Sequence, residues 1–167
     1  MPEKSDTSIT KLLSKATHVE NAIGIAIASK ISNPKGSFEK IVFFNKFFPE
    51  KDIIPLKLKK SSLDRENNAL HLDCCFQPIG YRSALLYEGG FKHQSDVDFL
   101  VDFYKKENII FLTQEEMYHM NSNIFSISPT VVISEMGFFR LNNELRQRGF
   151  TVEEVPYSEI AKMEGLL

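Results

Sequence analysis

From residue 69 onward, the sequence runs through short apolar segments in the order strand, strand, helix, strand, and then repeats that order. The strand segments are short runs bounded by turn residues, whereas the helical segments carry apolar side chains at helical spacing. Strands and helices that interleave in this way are typical of an α/β fold, and the paired strands have the pattern of antiparallel neighbours. The sequence therefore predicts an α/β fold built from about two small repeated modules.

Local signals place the elements of these modules. The predicted strands are 69–76, 84–87, 109–112, 123–128, 130–134 and 151–156, and the predicted helices are 95–106, 114–119, 138–148 and 159–165. Ser95 with Asp98 resembles a capping box at the first helix, and Thr113 is placed to cap the second. Gly149 follows the third helix, where a left-handed residue commonly ends a helix. The polar side chains of that helix, Asn142 among them, are interpreted as its solvated face.

Residues 1–66 do not show this order. They contain predicted helices at 8–16 and 21–31, predicted strands at 41–44 and 53–58, and a polar stretch over 57–68 that is interpreted as a surface loop. Pro55 favours a sheet edge for the second of these strands, because proline cannot donate to a ladder. We therefore divide the chain into an N-terminal segment, 1–66, and a domain of repeated modules, 67–167.

The composition excludes several classes of protein. The chain has 167 residues, is 43% hydrophobic and carries a formal charge of −2, which suits one soluble domain and argues against binding to nucleic acid or an anionic membrane. It has no apolar run of about 18 residues, and its polar first residues lack the apolar core of a signal peptide. Cys74 and Cys75 are adjacent, so they form neither a disulfide framework nor a metal-ligand pattern. We therefore expect a cytoplasmic protein without a metal or other cofactor.

The richest chemistry lies in the segment Ala-Leu-His-Leu-Asp-Cys-Cys-Phe at 69–76. As a β-strand, it would direct successive side chains to opposite faces, so His71, Asp73 and Cys75 would share one face. The other face would be apolar and would be formed by Leu70, Leu72, Cys74 and Phe76. His71 and Asp73 would lie side by side, roughly 6–7 Å apart along the strand.

The three side chains on the polar face suit acid–base and nucleophilic chemistry. His71 can act as a general acid/base, and Asp73 can bind a cation such as a guanidinium in bidentate geometry. Cys75, the thiol on the same face, is a weak candidate for a nucleophile. A single His-x-Asp strand is a weak motif, and residue types alone favour a structural histidine and a buried thiol, with Cys74 in the core.

The segment His-Leu-Asp-Cys-Cys-Phe-Gln-Pro-Ile-Gly at 71–80 resembles the guanidine-modifying, or pentein, superfamily. This superfamily includes arginine deiminases, dimethylarginine dimethylaminohydrolases and glycine/arginine amidinotransferases, and the sequence is most similar to bacterial amidinotransferase-like hydrolases. The resemblance continues in order through 121–129, 131–135, 140–146 and 149–160. The ordered run of matches is more specific than any single motif, and it reverses the preference for a structural histidine at position 71.

The resemblance implies a propeller of strand-strand-helix-strand modules around a central site, of which this chain would hold about two. It also implies that a cysteine thiolate attacks the guanidinium carbon of an arginine-like substrate and expels an amine or ammonia. The amidino adduct on the cysteine would then pass to water or to an acceptor amine. By residue match, His71 is the general acid/base and Asp73 is a carboxylate that binds the guanidinium.

Two departures from the family pattern qualify this expectation. The family's nucleophilic cysteine lies shortly beyond a segment like 161–167, and neither Cys74 nor Cys75 matches its position. The earlier modules are not recognisable in 1–66. We therefore expect a C-terminal-half fragment that is inactive alone. The alternatives are that Cys75 acts as nucleophile, or that the chain is a non-catalytic binding or assembly module that self-associates or pairs with another chain through open sheet edges.

Overall fold

The computed structural model describes residues 54–61 and 63–161, together with Lys46 and Pro49. Its strands are β1 (Phe76–Ile79), β2 (Ser83–Leu86), β3 (Ile109–Phe111), β4 (Phe125–Ser128), β5 (Val131–Glu135) and β6 (Thr151–Val155). Within residues 63–161, its α-helices are α1 (Gln94–Tyr104), α2 (Gln114–Tyr118), α3 (Phe139–Gln147) and α4 (Ser158–Ala161). The elements predicted at 8–16, 21–31 and 41–44 lie outside the described residues, as do the first residue of 53–58 and the end of 159–165.

The strands form two three-stranded sheets with the same topology. In the first, β1 pairs with β2 in antiparallel fashion, and α1 then leads to β3, which pairs with β2 in parallel. In the second, β4 and β5 are antiparallel, and α3 leads to β6, which lies parallel to β5. The predicted α/β fold with two strand-strand-helix-strand modules is therefore confirmed. In the described part of the chain, no helix is long and apolar enough to cross a bilayer.

The helix boundaries test the predicted caps. Thr113 caps α2 through a complete capping box, in which its hydroxyl accepts from the Glu116 N–H at 3.1 Å and Glu116 accepts from the Thr113 N–H at 2.9 Å. Gly149 has φ +89°, as predicted for the residue that follows α3. The capping box predicted for Ser95 with Asp98 is wrong. Helix α1 begins at Gln94, whose side-chain amide donates to Asp98 at 3.0 Å.

The strand predicted at 69–76 is also wrong. Residues Leu72–Cys74 form a 3-10 turn, and β1 starts only at Phe76 and runs to Ile79, beyond the predicted end of the strand. Pro78 is tolerated there because β1 is the edge strand of its sheet. Of the strand predicted at 53–58, the described residues form a single antiparallel bridge, between Leu58 and Phe91.

The described residues pack into two apolar clusters. The first lies between α1 and one face of the first sheet, and it includes Phe76, Ala84, Leu86, Val97 and Leu100. The second joins the modules, and it includes Ile79, Leu85, Ile110, Leu112, Val132, Leu141 and Leu145. Successive residues of β2 contribute to different clusters, because side chains alternate along a strand. The first sheet is therefore covered on one face by its own helix and on the other by the second module.

Candidate functional site

The segment that carries His71 and Asp73 lies just before β1, on the 3-10 turn. His71 is the exposed residue at the N-terminal end of this turn, and Asp73 is partly buried within it. Lys60 donates from its ammonium group to the carbonyls of Ala69 and Leu70, immediately before the turn. The structure therefore keeps the imidazole accessible and the carboxylate nearby, although on a turn rather than on the predicted strand.

Cys75 does not share a face with His71, contrary to the prediction. Its side chain is fully buried, and its thiol lies 3.4 Å from the Leu72 carbonyl, to which it donates. The space beside it is filled by Gly90, where an added Cβ would lie 2.8 Å from the Cys75 sulfur. Burial raises the pKa of the Cys75 thiol far above its ordinary value. A protonated, inaccessible thiol is poorly suited to nucleophilic attack.

Cys74 is buried as predicted, and it connects the turn to a cleft. Its sulfur lies 3.9 Å from a carboxylate oxygen of Asp73, and burial raises the pKa of its thiol. The cleft has a volume of about 830 Å³. Its walls come from both modules and include Asn68, Leu70, Cys74, Glu116, Met120, Asn121, Glu135, Phe138, Arg140 and Ser158. His71 and Asp73 do not line the cleft directly, so Cys74 is the point at which the turn adjoins it.

One wall of the cleft contains an ion pair between the modules. Arg140 on α3 donates to both carboxylate oxygens of Glu116 on α2, at 2.5 and 2.7 Å, and also to the Phe111 carbonyl at 3.2 Å. Burial alone would raise the pKa of Glu116, but the hydrogen bonds from Arg140 and Thr113 outweigh it and lower this pKa from its ordinary value. Because the pair is bidentate, it favours a single relative orientation of the two side chains.

We expect Arg140→Gln to lower the free energy of unfolding at pH 7 by about 1 kcal/mol or less, because Arg140 is half exposed to solvent. A carboxylate with a lowered pKa stabilises the fold above its ordinary pKa, and this contribution disappears as the pH falls through the lowered value. The difference between wild type and variant should therefore shrink as the pH falls below 4.5. Urea denaturation at several pH values measures it, with Arg82→Gln, a change at an exposed arginine on a turn, as control. A pH-independent difference would contradict the assignment.

A buried polar network on the second module was missed from the sequence. Asn142 is 1% exposed, although it was interpreted as part of a solvated helix face. It accepts from the Ser134 hydroxyl at 2.6 Å and donates to the Glu135 carbonyl at 2.9 Å. The buried carboxylate of Glu135 accepts from the Tyr157 N–H. The signal in the sequence that could have indicated this network was the presence of polar residues at the end of the apolar strand 130–134. Among the described residues, no group of three or more His, Cys, Asp or Glu side chains is placed to hold a metal ion.

Comparisons of sequence identify a family and individual proteins to which this chain is similar. A profile of the family described as N,N dimethylarginine dimethylhydrolase, eukaryotic, matches residues 54–165. The uncharacterised protein YkgA of Bacillus subtilis is 32% identical over 117 residues, which cover 70% of this chain and 37% of that protein. The uncharacterised protein ZK1307.1 of Caenorhabditis elegans is 34% identical over 99 residues, which cover 59% and 34%. The chain thus spans about a third of the length of these curated relatives.

Comparisons of structure agree on the fold. The N-terminal domain of a variant of ArgZ, a cyanobacterial arginine dihydrolase, bound to its substrate, gives a TM-score of 0.64 at 21% identity and covers 76% of this chain and 44% of that one. A dimethylarginine dimethylaminohydrolase carrying a pyridine adduct gives a TM-score of 0.58 at 23% identity, with 80% and 46% covered. Both likenesses are to pentein folds, and the two sheets of this chain match them.

Proposed function

Because the chain belongs to the N,N-dimethylarginine dimethylhydrolase family of the pentein superfamily, we propose that it supplies the acid–base and guanidinium-binding part of a site that hydrolyses arginine-type substrates. The observation that carries the proposal is the His-Leu-Asp turn at 71–73, which lies inside the matched region and keeps its imidazole exposed. The proposal assigns this role to 67–167 and assigns no catalytic or binding residue to 1–66. Free, buried thiols favour a cytoplasmic location.

In this proposal, Asp73 binds the substrate and His71 transfers protons. A carboxylate accepts two parallel hydrogen bonds from a guanidinium, which orients the group as well as holding it. The imidazole of His71 would protonate the amine that leaves the guanidinium carbon and then take a proton from the attacking water. The family match and the accessibility of the turn support both proposed roles.

The covalent step requires a thiolate, and the cysteines of this chain are poorly suited to supply one. Cys74 and Cys75 are both buried, and burial raises the pKa of each thiol. Without a nucleophile, an enzyme of this type retains only its binding and electrostatic contributions. We therefore propose that the thiol comes from outside this chain and that these 167 residues alone bind a guanidino compound without converting it.

Asp73→Asn tests the binding role. A hydrogen bond to a charged group is worth about 1.5–3 kcal/mol, so removing the charge should weaken binding of Nω,Nω-dimethylarginine by about tenfold or more. Titration calorimetry or NMR shifts measure the affinity. Asp102→Asn is the matched control, since Asp102 is an exposed carboxylate on α1. Equal affinities for the two variants would contradict the role of Asp73.

A product assay and the titration of the wild-type chain also bear on the proposal. Release of a ureido product by the wild-type chain alone would contradict the claim that its thiol comes from elsewhere, and loss of that activity in Cys75→Ala would identify Cys75 as the nucleophile. Failure of the wild-type chain to bind any guanidino compound would contradict the guanidinium site itself.

A second candidate function is a non-catalytic assembly module. The observation that favours it is the edge strand β4, on which Phe125 is 54% and Ile127 is 55% exposed. Exposed apolar side chains on an edge strand are suited to pairing with another sheet. This candidate would become the leading one if the wild-type chain neither binds nor converts guanidino compounds.

A further inference from the structure

The 3-10 turn Leu72–Cys74 has little internal support. Two backbone hydrogen bonds close it, from the N–H groups of Cys74 and Cys75 to the carbonyls of His71 and Leu72, at 3.3 and 3.0 Å. Turns of this type have poor hydrogen-bond geometry and occur in short pieces. Contacts from elsewhere in the chain must therefore select one conformation of the turn.

Ser122 provides such a contact from the second module. Its side chain is fully buried, and its hydroxyl donates to the backbone carbonyl of Asp73 at 2.6 Å, across 49 positions of sequence. The acceptor is the peptide group at the centre of the turn. A hydrogen bond to this carbonyl fixes the orientation of the backbone segment that carries both proposed site residues.

The loop that carries Ser122 is itself held firmly. Met120 has φ +63°, a left-handed conformation that non-glycine residues keep only where their surroundings impose it. The Asn123 N–H donates to the Met120 carbonyl and the Ile124 N–H donates to the Ser122 carbonyl, both at 2.9 Å. The Tyr157 hydroxyl donates to the Asn123 carbonyl at 2.7 Å. The donor of the bond to the turn is therefore preorganised.

We infer that Ser122 is a positioning residue, which uses the second module to orient His71 and Asp73 on a turn of the first. The role in guanidinium binding rests on the proposed function, whereas the effect on the turn does not. Substitution of Ser122 should loosen the turn locally, and the affinity for a guanidino compound should fall as a consequence.

Ser134 offers a matched control. It is also fully buried, and its hydroxyl also donates at 2.6 Å, but to Asn142 within the second module. Ser122→Ala and Ser134→Ala therefore remove the same atoms from equally buried sites. If Ser122→Ala fails to fold, Ser122→Cys keeps a side chain of the same shape, although a larger one, and replaces the hydroxyl with a weak donor.

Native-state hydrogen exchange of single amides, followed by NMR, is the primary readout. In Ser122→Ala, exchange of the Cys75 amide should accelerate at least tenfold more than that of the Phe150 amide, which donates to the Leu145 carbonyl in the second module. In Ser134→Ala, exchange of the Cys75 amide should not accelerate tenfold more than exchange of the Phe150 amide. Equal acceleration of the two amides in Ser122→Ala would overturn the inference, because it would mark a general loss of stability.

Titration with Nω,Nω-dimethylarginine separates this inference from the proposed function. We expect Ser122→Ala to weaken binding several-fold and Ser134→Ala to leave it unchanged. If the wild-type chain does not bind but the Cys75 amide responds to Ser122→Ala, the proposed function fails while the control of the turn by Ser122 holds. If binding is intact in Ser122→Ala, positioning of the site by Ser122 is refuted.

Discussion

Replacing Leu145 by alanine is expected to lower the free energy of unfolding by about 2–5 kcal/mol and to affect both modules together. Leu145 lies on α3 and is fully buried in the cluster that also contains Leu85 and Ile110 of the first sheet. Truncation of the side chain leaves a cavity between the modules. The loss of stability therefore includes lost packing contacts as well as the lost free energy of transferring the side chain out of water. Such a cavity weakens the packing of each module against the other.

Urea denaturation followed by far-ultraviolet circular dichroism measures this loss, with amide exchange to report each module separately. Leu63→Ala is the control, since Leu63 is 98% exposed and the same truncation there should change the stability by less than about 0.5 kcal/mol. Two separate unfolding transitions in the wild-type chain would contradict the view that the shared cluster makes the modules one cooperative unit.

Gly90→Ala is the second substitution with a large expected effect, a loss of about 1–3 kcal/mol from overpacking. A Cβ at this position would lie 2.5 Å from the Cys75 Cβ and 2.8 Å from its sulfur. Cys75 is fully buried at the end of the 3-10 turn, so either the turn or the Gly90 backbone must move. The substitution should therefore also disturb His71 and Asp73.

Gly137→Ala is the matched control for this change, since its added Cβ would meet no atom closer than 3.9 Å. Thermal or urea denaturation compares the two variants. Cys75→Gly in the Gly90→Ala background should recover part of the loss because it removes both clashing atoms, whereas Cys75→Ala removes only the sulfur, keeps the Cβ contact and should recover less. Equal stability of Gly90→Ala and Gly137→Ala would show that the close contact is relieved without cost.

The features that the sequence predicted correctly are those that depend on neighbouring residues. The two modules follow from apolar periodicity and turn residues, and the cap at Thr113 follows from Glu116 three positions later. The turn at 71–75 was mistaken for a strand because its alternating apolar and polar residues imitate one. In the structure the turn is contacted by Gly90 and Ser122, which do not neighbour it in sequence.

The same reasoning applies to the side chains of the site. The family match, which points to His71, was within reach of the sequence. Residue types alone favoured a buried thiol at Cys75, but the close approach of Gly90 that encloses it was not predictable from the sequence. Asn142 was misplaced for a similar reason, since its partners are Ser134 and the Glu135 carbonyl on a neighbouring strand. Tertiary hydrogen bonds leave no periodic trace in the sequence.

The two-sided burial of the first sheet has a consequence for how such repeats can be shuffled. Each module has the same topology, yet Leu85 and Ile110 are kept from water by the side chains of the following module rather than by α1. Separation of the modules would expose that sheet face to water and would also remove the hydrogen bond from Ser122 to the Asp73 carbonyl. The pair of modules, and not the single repeat, is therefore the smallest part of this architecture that can be transplanted with both its core and its His-Leu-Asp turn intact.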